Sequence, residues 1–101
     1  MMHLQWQFDS DDSASITGML TRDTVPSLWS QLQAWQPKNS TFEVCLKKIG
    51  RVESAGMVML IHLIQHAKLQ NCHIILTFMP EQLKTLFELS NIDGLFSFHI
   101  R

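Results

Sequence analysis

The run Arg51-Val52-Glu53-Ser54-Ala55-Gly56-Met57 sets a hydroxyl between an acid and two small residues, where a strongly apolar stretch begins. Three chemistries are open to Ser54 there. Its oxygen can accept from first-turn N–H groups as a helix N-cap. It can carry a phosphate, which free N–H donors and the helix dipole stabilise. Unmodified, it can meet a partner at an exposed corner, where Gly56 permits close backbone approach. Glu53 suits the cap, since negative charge is favourable at a helix start. The same charge repels a phosphate.

Catalysis is not expected. No Ser-x-x-Lys follows from Ser54, and His62 and His66 come two turns later. GxSxG, P-loop and GxGxxG patterns are absent. His62 and His66 stand i, i+4 and could reach one metal. However, Leu63 follows His62, so the HExxH pattern of zinc hydrolases is missing, and two ligands fall short of a zinc set. They read as surface or interface histidines, and neither metal nor other cofactor is expected. Cys45 and Cys72 sit in or beside apolar strands without CxxC spacing. Free core thiols in a reducing compartment are the expectation.

The 101 residues fit one small domain, 1–101, and a hydrophobic share of 46% is enough for a core. Lys plus Arg is 8 against 9 Asp plus Glu, a formal net charge of -1. No basic excess exists to neutralise a phosphate backbone, so nucleic acid is excluded as an expected partner. Met1 to Trp6 lacks the basic and apolar regions of a signal peptide. The longest apolar run, Ala55 to Ile61, is too short to span a bilayer.

The elements that position Ser54 follow from periodicity. Leu4, Trp6 and Phe8 alternate with polar residues as a half-buried strand. A polar turn at Asp9 to Asp12 leads to a second strand over Ser13 to Gly18, with Ala14, Ile16 and Leu20 inward. Thr24 is the expected N-cap of a first helix, with Pro26 tolerated in its first turn. Val25, Leu28, Trp29, Leu32 and Trp35 give that helix one inner stripe. Phe42 to Leu46 reads as a central strand covered on both faces, and Lys47 to Glu53 as a loop around Gly50. A second helix runs from about Ala55 to Gln70, stopped by Asn71. His73 to Phe78 is a strand, and Pro80 starts a third helix with Leu83, Leu86, Phe87 and Ser90 on one face. A turn at Asn91 to Gly94 and a strand at Leu95 to Ile100 complete the chain. The expected fold class is α/β, ordered ββαβαβαβ. It has a mixed sheet, an N-terminal hairpin and helices mostly on one face.

Projected at 100° per residue, the second helix has too much apolar surface. Met57, Leu60, Leu63, Ile64 and Ala67 form an inner arc. The outer arc carries His62, Gln65 and His66, yet Val58, Met59 and Leu69 lie among them, with Ile61 at the edge beside Lys68. Either another element of the same domain covers this face, or it is a patch that docks a partner. Met suits such irregular contacts.

The segment Arg51 to Met57, followed by Leu60 to Ala67, resembles the signature region of STAS domains, the domains shared by sulfate transporters and anti-sigma-factor antagonists. The family pattern is Asp, Ser or Thr, a small residue, Gly and a hydrophobic residue at a helix start. Ile16 to Thr21, Val25 to Trp29 and Leu83 to Leu89 are similar too, so the likeness covers nearly the whole chain. Leu20 to Trp29 and Leu60 to Ile64 most resemble the cytoplasmic STAS subunits of Mla-type, phospholipid-transporting ABC complexes. The resemblance implies a non-catalytic subunit, peripheral to the inner membrane through its partner. That partner would be the ATPase and, through it, the permease, with no direct membrane insertion. It implies that Ser54 holds the family's hydroxyl position, for phosphorylation or partner contact. The expected partner surface is Arg51, Glu53, Ala55, Gly56, Val58, Met59, Ile61, His62, Gln65 and Leu69. Two positions depart from the pattern: Glu53 replaces the usual Asp, and Cys45 stands where the central strand usually ends in Asp. The alternative is an anti-sigma-factor antagonist switched by phosphorylation of Ser54, and loss of acidic character weakens it.

Overall fold

Alternating apolar side chains lie in register across four strands and give the sheet one inner face. The computed structural model describes residues 5–91, 94, 99 and 100. Strands β1 (Trp6–Ser10) and β2 (Ser13–Ile16) form the expected antiparallel hairpin. β2 then pairs in parallel with a strand over Thr41–Cys45, which pairs in parallel with another over His73–Thr77. Ala14 lies opposite Val44, and Val44 opposite Leu76, so all three share one row. These three are buried with Trp6, Ile16, Phe42 and Ile74. The expected strand residue Leu4 and most of the expected last strand lie outside the described residues. Ile100 does form a parallel bridge with Leu76.

Three sequence expectations need correction. The second strand ends at Ile16, and a separate strand β3 (Gly18–Leu20) begins at Gly18, whose φ of 81° favours glycine. The expected central strand, β4 (Thr41–Cys45), is not packed on both faces: Phe42 and Val44 are buried, but Glu43 and Cys45 are half-exposed. The expected loop at Lys47 to Glu53 contains strand β5 (Ile49–Val52), paired in parallel with β3 as a two-stranded sheet. Such short strands have no readable alternation; they form because partners some 30 residues apart are brought side by side.

Helix α1 (Val25–Ala34) buries Leu28 and Leu32 and packs Val25, Trp29 and Trp35 at the rim of the core. Thr24 holds the N-cap position of α1, as expected, but without a side-chain cap bond. Its hydroxyl donates to Met19 O (2.7 Å) and accepts from Thr21 N (3.0 Å), closing the turn before the helix. Helix α2 (Ser54–Lys68) ends as expected, with Asn71 left-handed (φ 61°) and Cys72 N donating to Ala67 O at 2.9 Å. Strand β6 (His73–Thr77) leads to helix α3 (Glu81–Leu89), which buries Leu83 and Phe87. Each fully buried Leu contributes about 1.5–3 kcal/mol relative to exposure. No helix among the described residues is long and apolar enough to cross a membrane.

Candidate functional site

Glu53, not Ser54, occupies the N-cap of α2, with extended backbone (φ -111°, ψ 173°). Its N–H donates to Leu20 O at 2.8 Å, and its own carbonyl accepts from Gly56 N (2.9 Å) and Met57 N (3.4 Å). Its carboxylate accepts from Arg22 N at 3.3 Å and pairs with Arg51 at 3.2 Å. Exposed as that ion pair is, it contributes little by itself, about 0–1 kcal/mol. What Glu53 does is join three segments: the end of β3, the end of β5 and the start of α2.

This geometry corrects the expected cap at Ser54. Ser54 is the first residue of the helix, it is exposed, and the helix start has no side-chain cap hydrogen bond. Its hydroxyl has no hydrogen-bond partner among the described residues, so no local structural need accounts for it.

Two residues expected at the contact surface are buried instead. A Cβ at Gly56 would stand 2.5 Å from Leu20 Cβ and 3.1 Å from Leu20 O. The close backbone approach that Gly56 permits is therefore made by β3, within the chain. Met59 is only 3% exposed, because α1 lies beside α2 and turns the buried arc toward itself. Ala55 and Ile61 are half-buried, while Arg51, His62 and Gln65 are exposed.

What remains outside is a ridge along α2 at helical spacing: Ser54, Val58, Ile61 with His62, Gln65 and Leu69. Val58 is 44% and Leu69 is 85% exposed. Beside the ridge, α1 and α2 enclose a groove of about 350 Å³ lined by Val25, Pro26, Trp29, Ala55, Val58, Met59 and His62. The α1 residues were legible only as an inner stripe. No sequence signal reveals that they also wall an outward groove, since that depends on how the two helices meet.

Both histidines lie against α1 and its C-terminal end. The ring of Trp29 lies 5.8 Å from His62 and 6.3 Å from His66. His66 Nε2 is 2.8 Å from Trp35 O and donates to that carbonyl. Among the described residues, no three metal-ligating side chains come together. Cys45 and Cys72 are both free, and burial pushes the Cys72 thiol up from its ordinary range.

With this geometry in place, likeness to known proteins becomes informative. The family model described as "Mlab, STAS domain" matches residues 5–97. The chain is 29% identical over 91 residues to the intermembrane phospholipid transport system binding protein MlaB of Escherichia coli (strain K12), covering 90% of this chain and 91% of that one. The Shigella flexneri protein of the same name matches equally. Among solved structures, the anti-sigma factor antagonist SpoIIAA in its unphosphorylated form superposes with a TM-score of 0.72 at 13% identity, covering 96% of this chain and 84% of that one. A sulfate transporter family protein from Wolinella succinogenes gives 0.69 at 12%, covering 88% and 74%. At such identities these structures share the fold alone.

Proposed function

This chain belongs to the STAS domain family, and we propose that it is the non-catalytic STAS subunit of an Mla-type, phospholipid-transporting ABC complex that maintains outer-membrane lipid asymmetry. In this reading it docks on the ATPase and supports assembly and activity of the transporter. That places it on the cytoplasmic side, peripheral to the inner membrane, with the permease reached through the ATPase.

The observation that carries this reading is the α2 ridge with its neighbouring groove. Val58 and Leu69 leave apolar surface in water on a helix whose inner face is already satisfied by the core. Ser54, at the N-terminal end of the same ridge, has an exposed hydroxyl with no hydrogen-bond partner among the described residues. A partner that covers the ridge removes apolar area from water, at roughly 25 cal/mol per Å². Binding one ATPase state better than another would shift the ATPase toward that state. A non-catalytic role fits the chemistry present. Among the described residues no base is hydrogen-bonded to Ser54, and the nearby carboxylate of Glu53 is occupied by Arg51 and Arg22 N.

Ser54→Arg places bulk and charge at the end of the ridge without touching the core. Pull-down with the cognate ATPase should show retention reduced, with the melting temperature within about 2 °C of wild type, as for other surface changes. Unchanged retention would sink the docking reading.

The free hydroxyl also keeps the phospho-switch reading in play. Intact-mass measurement of protein from cells decides it: a stoichiometric phosphate that disappears in Ser54→Ala would favour an anti-sigma-factor antagonist.

A further inference from the structure

A second surface lies on the far side of the sheet from β6, at the edge strand β1. Gln5 O accepts from Thr17 N at 2.9 Å. Residues of an antiparallel pair alternate between bonded and non-bonded. With Gln7 opposite Ser15, and Trp6 and Phe8 opposite Ile16 and Ala14, it follows that Trp6 and Phe8 turn their N–H and C=O groups to the open edge. The opposite edge is different, because Ile100 bridges to Leu76 there. Among the described residues, no strand pairs with the outer side of β1.

Beside this edge is an aromatic groove of about 480 Å³, lined by Phe8, Ser10, Asp11, Trp35, Phe42 and their neighbours. The rings of Phe8 and Phe42 form part of its wall. Those two rings stand 6.3 Å apart at 86°, and Trp35 closes on Phe42 at 4.7 Å. Phe8 is 59% exposed although it points to the inner face of the sheet. Trp6 lies against all three rings, and its indole N–H has no hydrogen-bond partner among the described residues.

Exposed carboxylates gather at this end of the sheet. Asp9, Asp11 and Asp12 are exposed and in no ion pair among the described residues; Asp9 and Asp12 accept only from the hydroxyls of Ser15 (2.6 Å) and Ser10 (2.8 Å). Lys38 is the one cation lining the groove.

We infer that β1 takes an extended, cationic segment of a partner protein as an added strand, with an Arg or Lys side chain held in the aromatic groove beside Asp11. Each part of the surface selects one part of that occupant. Free main-chain groups at a sheet edge demand an extended backbone. Alternate side chains of the added strand fall over the inner face, where the groove opens. Aromatic faces attract a cation or guanidinium, and Asp11 and Asp12, in no ion pair among the described residues, outnumber Lys38 and disfavour an acidic segment. This surface is separate from the α2 ridge, so a partner could use it while the ridge is occupied.

The probe is the peptide acetyl-Thr-Lys-Val-Arg-Val-Lys-Thr-amide, with Gln replacing its three cations in the control. Binding to the full chain is followed by Trp fluorescence and by amide exchange. The cationic peptide should bind, the Gln peptide much more weakly, and exchange at the Trp6 and Phe8 amides should slow. Asp11→Lys and Phe8→Ala should each weaken binding by about tenfold, with melting temperatures confirming the fold, while Val58→Asp leaves it unchanged. Equal binding of both peptides, or of neither, overturns the inference. So does sedimentation showing a dimer that Phe8→Ala dissolves, because a second copy would then be the occupant. None of these outcomes bears on ATPase retention through α2.

Discussion

Gly56→Ala separates internal packing from partner contact most sharply. The added Cβ would lie 2.5 Å from Leu20 Cβ and 3.3 Å from Leu20 Cδ1. Carbon pairs settle at about 3.5–4.0 Å, so α2 and β3 must separate by roughly 1 Å at this point. The backbone resists that movement, because Glu53 N–H donates to Leu20 O at 2.8 Å just before the contact. Overpacking of this kind costs about 1–3 kcal/mol. Replacing a helical Gly with Ala returns at most about 1 kcal/mol. A net loss of about 1–2 kcal/mol lowers the melting temperature of a domain this size by about 5–15 °C. Thermal unfolding followed by circular dichroism, with urea denaturation as a check, measures it. A melting temperature equal to or above wild type would refute the packing argument. Lost ATPase retention at unchanged stability would return Gly56 to the contact surface.

Other outcomes follow from the same geometry. Met59→Ala should cost about 2–5 kcal/mol in urea unfolding, as for a core methionine, whereas Leu69→Ala should stay within about 0.5 kcal/mol; similar effects at both positions would contradict the placement of α1 beside α2. The Cys72 thiol is raised by burial, so the folded chain holds its proton at an alkaline pH where the unfolded chain has lost it. Stability should therefore fall as pH rises through the alkaline range, and less steeply in Cys72→Ala. Matching slopes in thermal melts would argue against the buried thiol as the cause. Cys72 should also resist iodoacetamide in the folded state more than the half-exposed Cys45, as read by peptide mass mapping.

Much of the frame was legible because it is local. Ala14 and Ile16 alternate, Leu28 and Leu32 keep helical spacing, Asn71 adopts the left-handed stop, and Pro80 precedes α3. The signature around Ser54 and the flanking likenesses were enough to reach the STAS family before any coordinate. The open ridge of α2 was visible as apolar excess, though not its limits. The Ser54 cap was misplaced by one residue, since the choice between Glu53 and Ser54 rests on where β5 ends.

The sequence by itself determined the helices, the main strands and the position of the hydroxyl, because these follow from side-chain period and from which residues tolerate a given backbone angle. Tertiary structure alone decided the β3–β5 pair, the burial of Met59, the contact of Gly56 with Leu20 and the exposure of Ser54. The physical reason is the same in each case. Periodicity reports which way a side chain leaves its own axis, whereas burial depends on which neighbour arrives there, and those neighbours come from some 30 residues away along the chain.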